Sequence, residues 1–384
     1  MRIGILSAEY PPLQGGVGDY SRQLARALAE LGHAVHVLTG RAGESQPVPP
    51  DASFAVHRVV AHWRWGCWRD VLRVASELEL DGLNLQFQTA AYGMHPAIQC
   101  PPRRREPALL VTFHDLKAPY LFPKAGPLRW QSLRWLARRA DGVIVTNRED
   151  WLRLAGDCPA GRLRRIPIGS NIACAPPAGY DRDAERAAWG VGRDDLLLGY
   201  FGFLNESKGG EELVEATALL AARGLPVHLL MVGGRVGSSD PTNRAYAGRV
   251  ERLIADRGLQ GRVHWTGYGD PAAVSAGLLA TDVCVLPYRD GVSFRRGTLL
   301  ACLAHHRAVV TTRPAVPLPE VRDGENMLLA PPRDAADLAA AVARLADDPP
   351  LRERLQAGAA ELAAAFSWES IARQLAAFLE GLRG

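Results

Sequence analysis

Short runs of aliphatic and β-branched residues alternate with longer amphipathic stretches along almost the whole chain. In the first half these runs are RIGILS, AVHVLTG, LNLQFQ, ALLVTFHD and GVIVTN; in the second half they are DLLLGYFG, VHLLMVGG, RVHWTG, VCVLPY, AVVTT and NMLLAP. Each run has the length and continuous apolar character of a parallel strand buried on both faces. The stretches between them predict helices, for example over residues 20–31, 128–139, 211–223 and 338–382. The expected fold class is therefore α/β with parallel sheets.

The alternation breaks once, in NIACAPPAGYDRDAERAAW (residues 171–189), where proline, glycine and charged residues replace the apolar runs. Such a stretch is typical of a linker between domains. Both halves open with a strand, a glycine-containing loop, a helix and a second strand. The sequence therefore predicts two Rossmann-like, doubly wound domains facing a cleft, over residues 1–175 and 185–366. The Asp-x-Asp triplet Asp181–Asp183 lies in the linker and predicts a helix start rather than a metal site.

Composition narrows the class of protein. The chain has 384 residues, 47% of them apolar and 22% charged, as in globular proteins with large cores. A net charge of +4 is too small to indicate nucleic-acid binding, so no such partner is expected. The six cysteines form no Cys-x-x-Cys pair, and no apolar run is long enough for a signal peptide or a membrane span. These features favour a reduced, cytoplasmic protein.

The stretch YPPLQGGVGDYSRQLARAL (residues 10–28) follows the first predicted strand and holds three glycines within four residues. It is not a dinucleotide fingerprint, because AEYPPLQ separates Ser7 from Gly15 and Ser21 occupies the third glycine position. A Walker loop is excluded as well, since no Gly-Lys-Ser/Thr follows. Two interpretations remain: an anion site at a helix N-terminus, and a loop that merely crosses the strand end.

Several motifs in sequence order resemble the family 4 glycosyltransferases, which have the GT-B fold. YPPLQGGVGDYSRQLARALAELGHAVHVLT resembles their opening loop and helix, and VTFHDL resembles the strand end that carries their cleft histidine. GVIVTN and RIPIGSNI resemble the last strands of their acceptor domain. GYFGFLNESKGGEELVEA resembles their phosphate-binding loop, and VHWTGY, PLPEVRDGENMLLAPPRD and FSWESIARQL resemble the rest of the donor domain and the crossover helix. The resemblance implies that a final helix, residues 367–384, returns to the first domain.

The resemblance also implies a function. We expect a retaining hexosyltransferase that needs no metal and no cofactor besides its co-substrate, a UDP- or GDP-linked sugar. The acceptor, small or lipid-linked, stays open, and so does the oligomeric state. Lys208 stands where the family has a lysine near the leaving β-phosphate, and it is one of three lysines in the chain, with Lys117 and Lys124. His114 stands where the family has a histidine near the sugar or acceptor hydroxyls.

The chain departs from the family pattern at the two glutamates that hold the donor sugar and ribose. Those positions are Ser293 and Ala301 here, and the phosphate-loop arginine expected beside Lys208 is Phe203. In exchange, YRDGVSFRRGTLLACL supplies Asp290 and an arginine pair, which we interpret as a coherent variant site. The arginines would return the lost positive charge, and Asp290 would contact sugar hydroxyls. The alternative is an arginine pair on a solvated helix end.

Three sets of residues form the predicted site. The catalytic candidates are Lys208, His114 and Asp290. The predicted donor-binding residues are Gly15, Gly16, Val17, Phe203, Lys208, Tyr268, Ser293, Arg295, Arg296, Gly297 and Thr298. The predicted acceptor-side residues are Gly18, Tyr20 and His114.

Other activities stay open at this stage. A nucleotide-sugar epimerase on the same fold would need acid and base carboxylates, for which Asp290 and Glu206 are candidates. A catalytically silent member that binds a nucleotide or a partner would fit the missing glutamates. The segments HWRWGCWRD and RWQSLRWLARR mix tryptophan with arginine, which suits weak peripheral contact with a membrane surface.

Overall fold

A computed structural model describes residues 1–13, 15–41, 51–103, 106–116, 126–159, 161–235 and 241–383. The chain forms two compact units. The first comprises Met1–Asn171 together with Ser367–Gly384, and the second comprises Ile172–Phe366. Each unit is built on one parallel β-sheet, with seven strands in the first and six in the second. The predicted α/β class with two doubly wound units is confirmed.

In the sheet of the first unit, the strands are added first on one side of β1 and then on the other, so their order reverses once. Its sheet order is β3-β2-β1-β4-β5-β6-β7, so the reversal lies between β1 and β4, where α/β folds bind their ligands. The elements are β1 (Arg2–Leu6), α1 (Gly16–Glu30), β2 (Ala34–Gly40), β3 (Ala55–Val60), α2 (Cys67–Glu77), β4 (Gly82–Phe87), β5 (Ala108–Phe113), α3 (Gly126–Arg139), β6 (Gly142–Val145), α4 (Arg148–Leu154) and β7 (Leu163–Arg165).

The second unit repeats this plan. Its sheet order is β10-β9-β8-β11-β12-β13, and the reversal lies between β8 and β11. The elements are α5 (Arg182–Ala188), β8 (Leu196–Phe201), α6 (Gly210–Ala222), β9 (Val227–Val232), α7 (Pro241–Asp256), β10 (Val263–Gly267), α8 (Pro271–Ala280), β11 (Val283–Leu286), α9 (Gly297–Ala304), β12 (Ala308–Thr312), β13 (Leu328–Ala330), α10 (Ala335–Asp347) and α11 (Pro349–Ala364).

The last helix, α12 (Trp368–Arg383), belongs to the first unit, as the resemblance implied. Its Leu379 side chain lies so close to Gly82 of β4 that a Cβ at Gly82 would overlap it. The Trp368 indole N–H donates to the Ser170 carbonyl oxygen at 2.7 Å. The tail predicted as helical over 338–382 is therefore three helices, of which only α12 returns. Of the helices that the structure describes, none is long and apolar enough to cross a membrane.

Two elements differ from the sequence expectation for physical reasons. Strand β3 was not predicted, because it is the edge strand and His57 and Arg58 interrupt its apolar pattern on a half-exposed ribbon. Helix α1 starts at Gly16, earlier than the glycines suggested. Glycine weakens a helix, but a Cβ at Gly18 would lie 2.7 Å from the Glu9 carbonyl oxygen. Close packing against the preceding loop therefore accounts for glycine there.

The predicted linker contains the boundary between the units, and the Asp-x-Asp triplet within it starts a helix as expected. Asp181 is the N-cap of α5, and its carboxylate accepts the Ala184 backbone N–H at 2.7 Å. Arg186 of the same helix is 1% exposed and donates to Asp282 at 3.0 Å. This ion pair fixes α5 to Asp282, the residue that directly precedes β11.

Candidate active site

The strand ends next to the reversal of the second sheet bring two cations together. Lys208 follows β8 and Arg296 follows β11, and these strands are neighbours. Parallel strands place their carboxyl ends at the same edge, so both side chains rise from one side of the sheet. The Arg296 guanidinium lies 3.4 Å from the Ser207 hydroxyl, next to Lys208. Two residues that are distant in the sequence thus form one positively charged site.

Two glycines shape the loop that carries Lys208. Gly202 has a φ of +111° and Gly209 a φ of +69°, in the left-handed region that favours glycine. A Cβ at Gly202 would lie 2.9 Å from Lys208 Nζ and 2.6 Å from Thr298 Cγ2, so both side chains approach the backbone here. A Cβ at Gly209 would overlap the Pro287 carbonyl oxygen. The lysine loop therefore passes directly against the end of β11.

The environment of Lys208 disfavours the protonated side chain. Burial and the neighbouring Arg296 lower the pKa of Lys208 from 10.5 to about 8. The side chain still carries a proton at neutral pH, without a carboxylate in contact among the described residues. A bound anion would relieve both effects, because it would neutralise the pair and replace the lost hydration. These electrostatics are typical of an anion-binding site.

Arg296 is held by an aromatic ring and a carboxylate. Its guanidinium carbon lies 4.8 Å from the Tyr288 ring centroid, and its Nη2 donates to both Asp290 oxygens at 2.5 and 2.6 Å. The Tyr288 hydroxyl lies 2.7 Å from Thr298 Oγ1. This ion pair was not predicted from the sequence, which assigned Asp290 to sugar hydroxyls and Arg296 to phosphate. Any anion that binds Arg296 must share the guanidinium with Asp290.

The two positions that carry glutamates in the family have local structural roles. Ser293 Oγ accepts the Arg295 backbone N–H at 3.3 Å, and the Ser293 carbonyl accepts the Arg296 N–H at 3.1 Å. Arg296 is the N-cap residue of α9, and Gly297 is the first residue of that helix. Ala301 is fully buried. The turn thus holds Arg296 at the helix start, while the second family position has become part of the core.

A partly buried arginine anchors the lysine loop to β11, and the sequence did not predict this arrangement. Arg289 is about 10% exposed and donates to three carboxylates: Glu206 at 3.2 Å, Glu211 at 2.6 Å and Glu212 at 2.7 Å. Its backbone N–H donates to the Ser207 carbonyl at 2.9 Å. Charge-assisted hydrogen bonds of this kind are the strong ones. Glu206, an acid–base candidate in the epimerase alternative, is therefore part of a structural anchor.

Two exposed aromatic side chains border the same edge of the sheet. Phe203 follows β8 and is 39% exposed; Tyr268 follows β10 and is 87% exposed. Both face Gly234 after β9: a Cβ there would lie 2.9 Å from the Phe203 ring and 3.8 Å from Tyr268 Cβ. Exposed rings beside the Lys208–Arg296 cations offer stacking surfaces for a flat, polar ring such as a nucleobase.

His114 lies at the end of β5 in the first unit. Its Nε2 is 2.9 Å from Gln86 Oε1, and its ring meets Tyr20 edge-on at 4.7 Å. Burial lowers the pKa of His114 to about 4, so the imidazole is neutral at physiological pH. With the amide in this orientation, Nε2–H donates and Nδ1 keeps its lone pair. Gln86 Nε2 has no partner among the described residues although it is buried.

The glycine loop before α1 is already partly occupied. The Glu9 carboxylate accepts the Val17 backbone N–H and lies against Gly15. Burial raises the pKa of Glu9. The sequence predicted that Gly15, Gly16 and Val17 offer this helix N-terminus to the donor; a ligand would have to share it with Glu9. Gly16 and Gly18 lie inside the first turn of α1 rather than in a loop.

Tyr20 is buried rather than available as a surface contact. It is 4% exposed and its ring packs edge-on against both His114 and Trp368, the latter at 5.2 Å. Any effect of Tyr20 on the predicted acceptor side would therefore be indirect, through the position of His114. Lys117 and Lys124 lie outside the described residues. Across the residues that the structure describes, no group of three or more His, Cys, Asp or Glu side chains converges as metal ligands would.

The predicted residues thus fall into two sets. The second unit brings together the lysine, the arginine turn and the aromatic border: Phe203, Lys208, Tyr268, Asp290, Ser293, Arg295, Arg296, Gly297 and Thr298. The first unit holds Gly15, Gly16, Val17, Gly18, Tyr20 and His114. Their roles in binding and catalysis stay predictions.

Two family matches cover most of the chain. Residues 15–169 match the glycosyl transferase 4-like domain, and residues 195–348 match the glycosyl transferases group 1 family. Phosphatidyl-myo-inositol mannosyltransferase of Mycolicibacterium smegmatis is 27% identical over 404 residues, covering 100% of this chain and 95% of that protein. Alpha-D-kanosaminyltransferase of Streptomyces kanamyceticus is 29% identical over 257 residues, which span 65% of this chain and 62% of that protein.

Solved structures share the fold at low sequence identity. Sucrose-phosphate synthase from Thermosynechococcus elongatus superimposes with a TM-score of 0.74 at 24% identity, covering 100% of this chain and 99% of that one. Anabaena HepE in complex with UDP gives a TM-score of 0.75 at 19% identity, covering 99% and 100%. These results agree with the ordered motifs and the two sheets: the chain belongs to the family 4 glycosyltransferases and has the GT-B fold.

Proposed function

We propose that this protein transfers a sugar from a UDP- or GDP-linked donor to an acceptor hydroxyl, with retention of anomeric configuration and without a metal ion. One observation carries the proposal: Lys208 and Arg296 meet at the switch point of the second sheet. Donors of this kind carry a diphosphate, and α/β sheets bind such groups at that edge. Retention and metal independence rest on the family resemblance.

The two cations match the chemistry of the leaving group. As the bond between the sugar C1 and the diphosphate breaks, negative charge grows on the β-phosphate. A fixed ammonium and guanidinium aimed at that charge stabilise the transition state more than the ground state. Arg296 would take the place of the arginine that the family has at Phe203. Asp290 holds the guanidinium until the diphosphate competes for it.

The aromatic border suits the nucleoside part of the donor. Phe203 and Tyr268 flank the end of β9, one strand away from Lys208. Stacking on such rings tolerates either base, so both UDP and GDP donors remain in the proposal. Anabaena HepE, which shares this fold, was solved in complex with UDP, which supports a uridine nucleotide as the first donor to test.

His114 would act on the acceptor side through a neutral ring. A pKa of about 4 means that it supplies hydrogen bonding rather than charge at neutral pH. Gln86 fixes the ring orientation, so the Nδ1 lone pair would be free to accept a hydrogen bond from a hydroxyl of the sugar or of the acceptor. The acceptor oxygen would form the new bond to C1 as the bond from C1 to the diphosphate oxygen breaks, and the hydroxyl proton would pass to that departing oxygen, so that the nucleotide diphosphate leaves.

The test is product formation from a panel of UDP- and GDP-sugars, with NMR of the product anomer and a parallel reaction in EDTA. The proposal predicts free nucleotide, a retained glycoside and no effect of EDTA. An epimerised donor without free nucleotide would favour the epimerase, and no product from any donor would favour the silent member. Lys208→Ala should lower kcat/KM by about 2–4 kcal/mol, roughly 30- to 1000-fold, while Arg257→Ala, an exposed control in the same unit, should not.

Weak peripheral contact with a membrane would bring a lipid-linked acceptor within reach. Trp65 is 69% exposed and Trp135 is 50% exposed, with the Arg139 guanidinium 5.2 Å from the Trp135 ring centroid. Trp68, by contrast, is buried. Flotation with anionic vesicles at low salt should recover the protein with the lipid and lose it in a Trp65→Ala, Trp135→Ala double variant. Protein that stays in the soluble fraction would contradict this part of the proposal.

A further inference from the structure

A cavity of about 500 Å³ lies in the first unit, away from His114. Its walls include Leu83 and Leu109, the second residues of β4 and β5, and Asp141, which directly precedes β6. It therefore sits at the amino edge of the sheet. His114 follows the opposite end of β5, about 17 Å away for a six-residue strand. This volume is within the range of small-molecule sites.

One wall of the cavity is apolar and another is strongly basic. The apolar wall consists of Trp68, Leu72, Leu83 and Leu109, with prolines at the rim. The basic wall consists of Arg103, Arg138, Arg139 and Arg162. Asp141 is the one acidic residue among the lining residues, and its carboxylate already accepts the Leu109 backbone N–H at 2.8 Å. The lining therefore carries a clear excess of positive charge.

Backbone carbonyls, not carboxylates, fix two of these arginines. Arg139 Nε donates to the Pro101 carbonyl at 2.9 Å. Arg162 Nε donates to the Asp141 carbonyl at 2.8 Å, and its Nη2 donates to the Ala140 carbonyl. A carbonyl orients a guanidinium without neutralising it. Their charge therefore remains available to a ligand, in a position set by the backbone.

The other two arginines complete the basic wall. Arg138 pairs with Asp157, with Nη2 at 3.2 Å from the carboxylate. Arg103 is exposed and has no carboxylate in contact among the described residues. Other arginines in the described part of the chain, such as Arg257 with Glu215, are paired with a carboxylate. Of the four arginines, Arg139 and Arg162 are therefore oriented by carbonyls and, like Arg103, are not paired with a carboxylate among the described residues.

We propose that this cavity binds a phosphate group attached to an apolar or partly apolar body, at a site separate from the donor site. Guanidinium groups bind phosphate oxygens bidentately, and the wall of Trp68 and the three leucines would cover the apolar part. The chemistry is the same for a soluble phosphomonoester and for a lipid headgroup. Binding here does not depend on the proposed transfer reaction.

The experiment titrates phenyl phosphate into Lys208→Ala protein, so that binding at the donor site does not contribute. We expect saturable binding that weakens at least tenfold in Arg139→Gln and Arg162→Gln. Arg103→Gln removes an exposed side chain without described partners, so its fold should be intact, and it too should weaken binding. Arg373→Gln, an exposed arginine on α12 that pairs with Glu369, is the matched control and should bind as the parent does.

Two further arms separate the sources of the phosphate. Vesicles of phosphatidic acid in phosphatidylcholine should retain the parent protein but not Arg103→Gln if the ligand is a headgroup. Phenyl phosphate binding without retention on these vesicles identifies a soluble ligand instead. UDP affinity of Arg162→Gln protein with Lys208 intact should equal that of wild type, which keeps this proposal distinct from the donor site. No saturable phenyl phosphate binding, or binding equal in all three cavity variants and the control, would overturn the proposal.

Discussion

The lowered pKa of Lys208 should make nucleotide binding depend on pH near pH 8. The pKa falls from 10.5 to about 8 because of burial and the neighbouring Arg296. The terminal phosphate of UDP is itself ionised only above about pH 6, so the effect of Lys208 is best separated above pH 7. Only the protonated lysine attracts the diphosphate strongly, so affinity should fall as the pH rises through 8. With a pKa of about 8, the cationic fraction drops from about nine-tenths at pH 7 to about one-tenth at pH 9. The dissociation constant for UDP should therefore rise about tenfold, equivalent to about 1.4 kcal/mol.

The assay is calorimetric titration of UDP at fixed ionic strength between pH 7 and pH 9. Lys208→Arg is the control variant, because a guanidinium stays protonated throughout this range; its affinity profile should lose the decline above pH 8. Uridine, which lacks phosphate, should bind equally at both ends of the range. A wild-type profile that stays flat to pH 9, or one that Lys208→Arg reproduces, would refute the reasoning.

The same shift has a consequence for stability. A base whose folded pKa lies below its unfolded value costs stability while it is charged in the folded protein. The cost is fully present below pH 8 and is relieved as pH rises from about 8 towards 10.5. Lys208→Met should therefore raise the melting temperature of the unliganded protein at pH 7 while abolishing the pH dependence of UDP binding. A lower melting temperature in this variant would contradict the conclusion that protonated Lys208 destabilises the unliganded protein.

Three further predictions concern the neighbours of this site. Arg296→Ala should weaken UDP binding by about 1.5–3 kcal/mol and leave uridine unaffected, whereas Arg295→Ala should cost less; equal losses for UDP and uridine in calorimetry would contradict the assignment. Gly209→Ala should destabilise the protein by about 1–3 kcal/mol in urea unfolding, more than Gly224→Ala, which has the same left-handed backbone in open space; equal effects would mean that the contact with β11 is not limiting. Gln86→Leu removes a buried amide whose Nε2 has no described partner, so the protein should keep its stability. Turnover should fall, and the imidazole ¹⁵N chemical shifts of His114 should report a different tautomer. Unchanged shifts would show that Gln86 does not position the ring.

The fold could be predicted from the sequence because parallel strands buried on both faces are continuous apolar runs. Strand β3 was not predicted because an edge strand is only partly buried and does not need a continuous apolar run; here His57 interrupts the apolar residues. Helix α1 was predicted too short since propensity argues against glycine, while the packing of Gly18 on Glu9 is a tertiary requirement. The pattern of apolar residues therefore predicts which segments are buried, but it does not predict where two backbone segments pack closely together.

Some residues of the candidate site could be predicted from the sequence, and others could not. Lys208 could be singled out because lysine is rare in this chain and the residue sits in a loop between strand and helix. The anchor around Arg289 could not, because its carboxylate partners lie 77–83 residues away. Nor does the sequence say which arginine of the pair turns inward. The structure places Arg296 on Asp290 and Tyr288, and that choice depends on the turn at Ser293.

Lys208 and Arg296 are proposed to form a diphosphate site at the switch point of the second sheet. The most direct test of this proposal is calorimetric titration of UDP, GDP and the two bare nucleosides against wild type and Lys208→Ala at pH 7. We expect that at least one diphosphate binds wild type, that Lys208→Ala weakens this binding at least tenfold, and that the nucleosides bind both proteins alike. Diphosphate affinity that is unchanged in Lys208→Ala, or no stronger than that of the nucleoside in wild type, would contradict it.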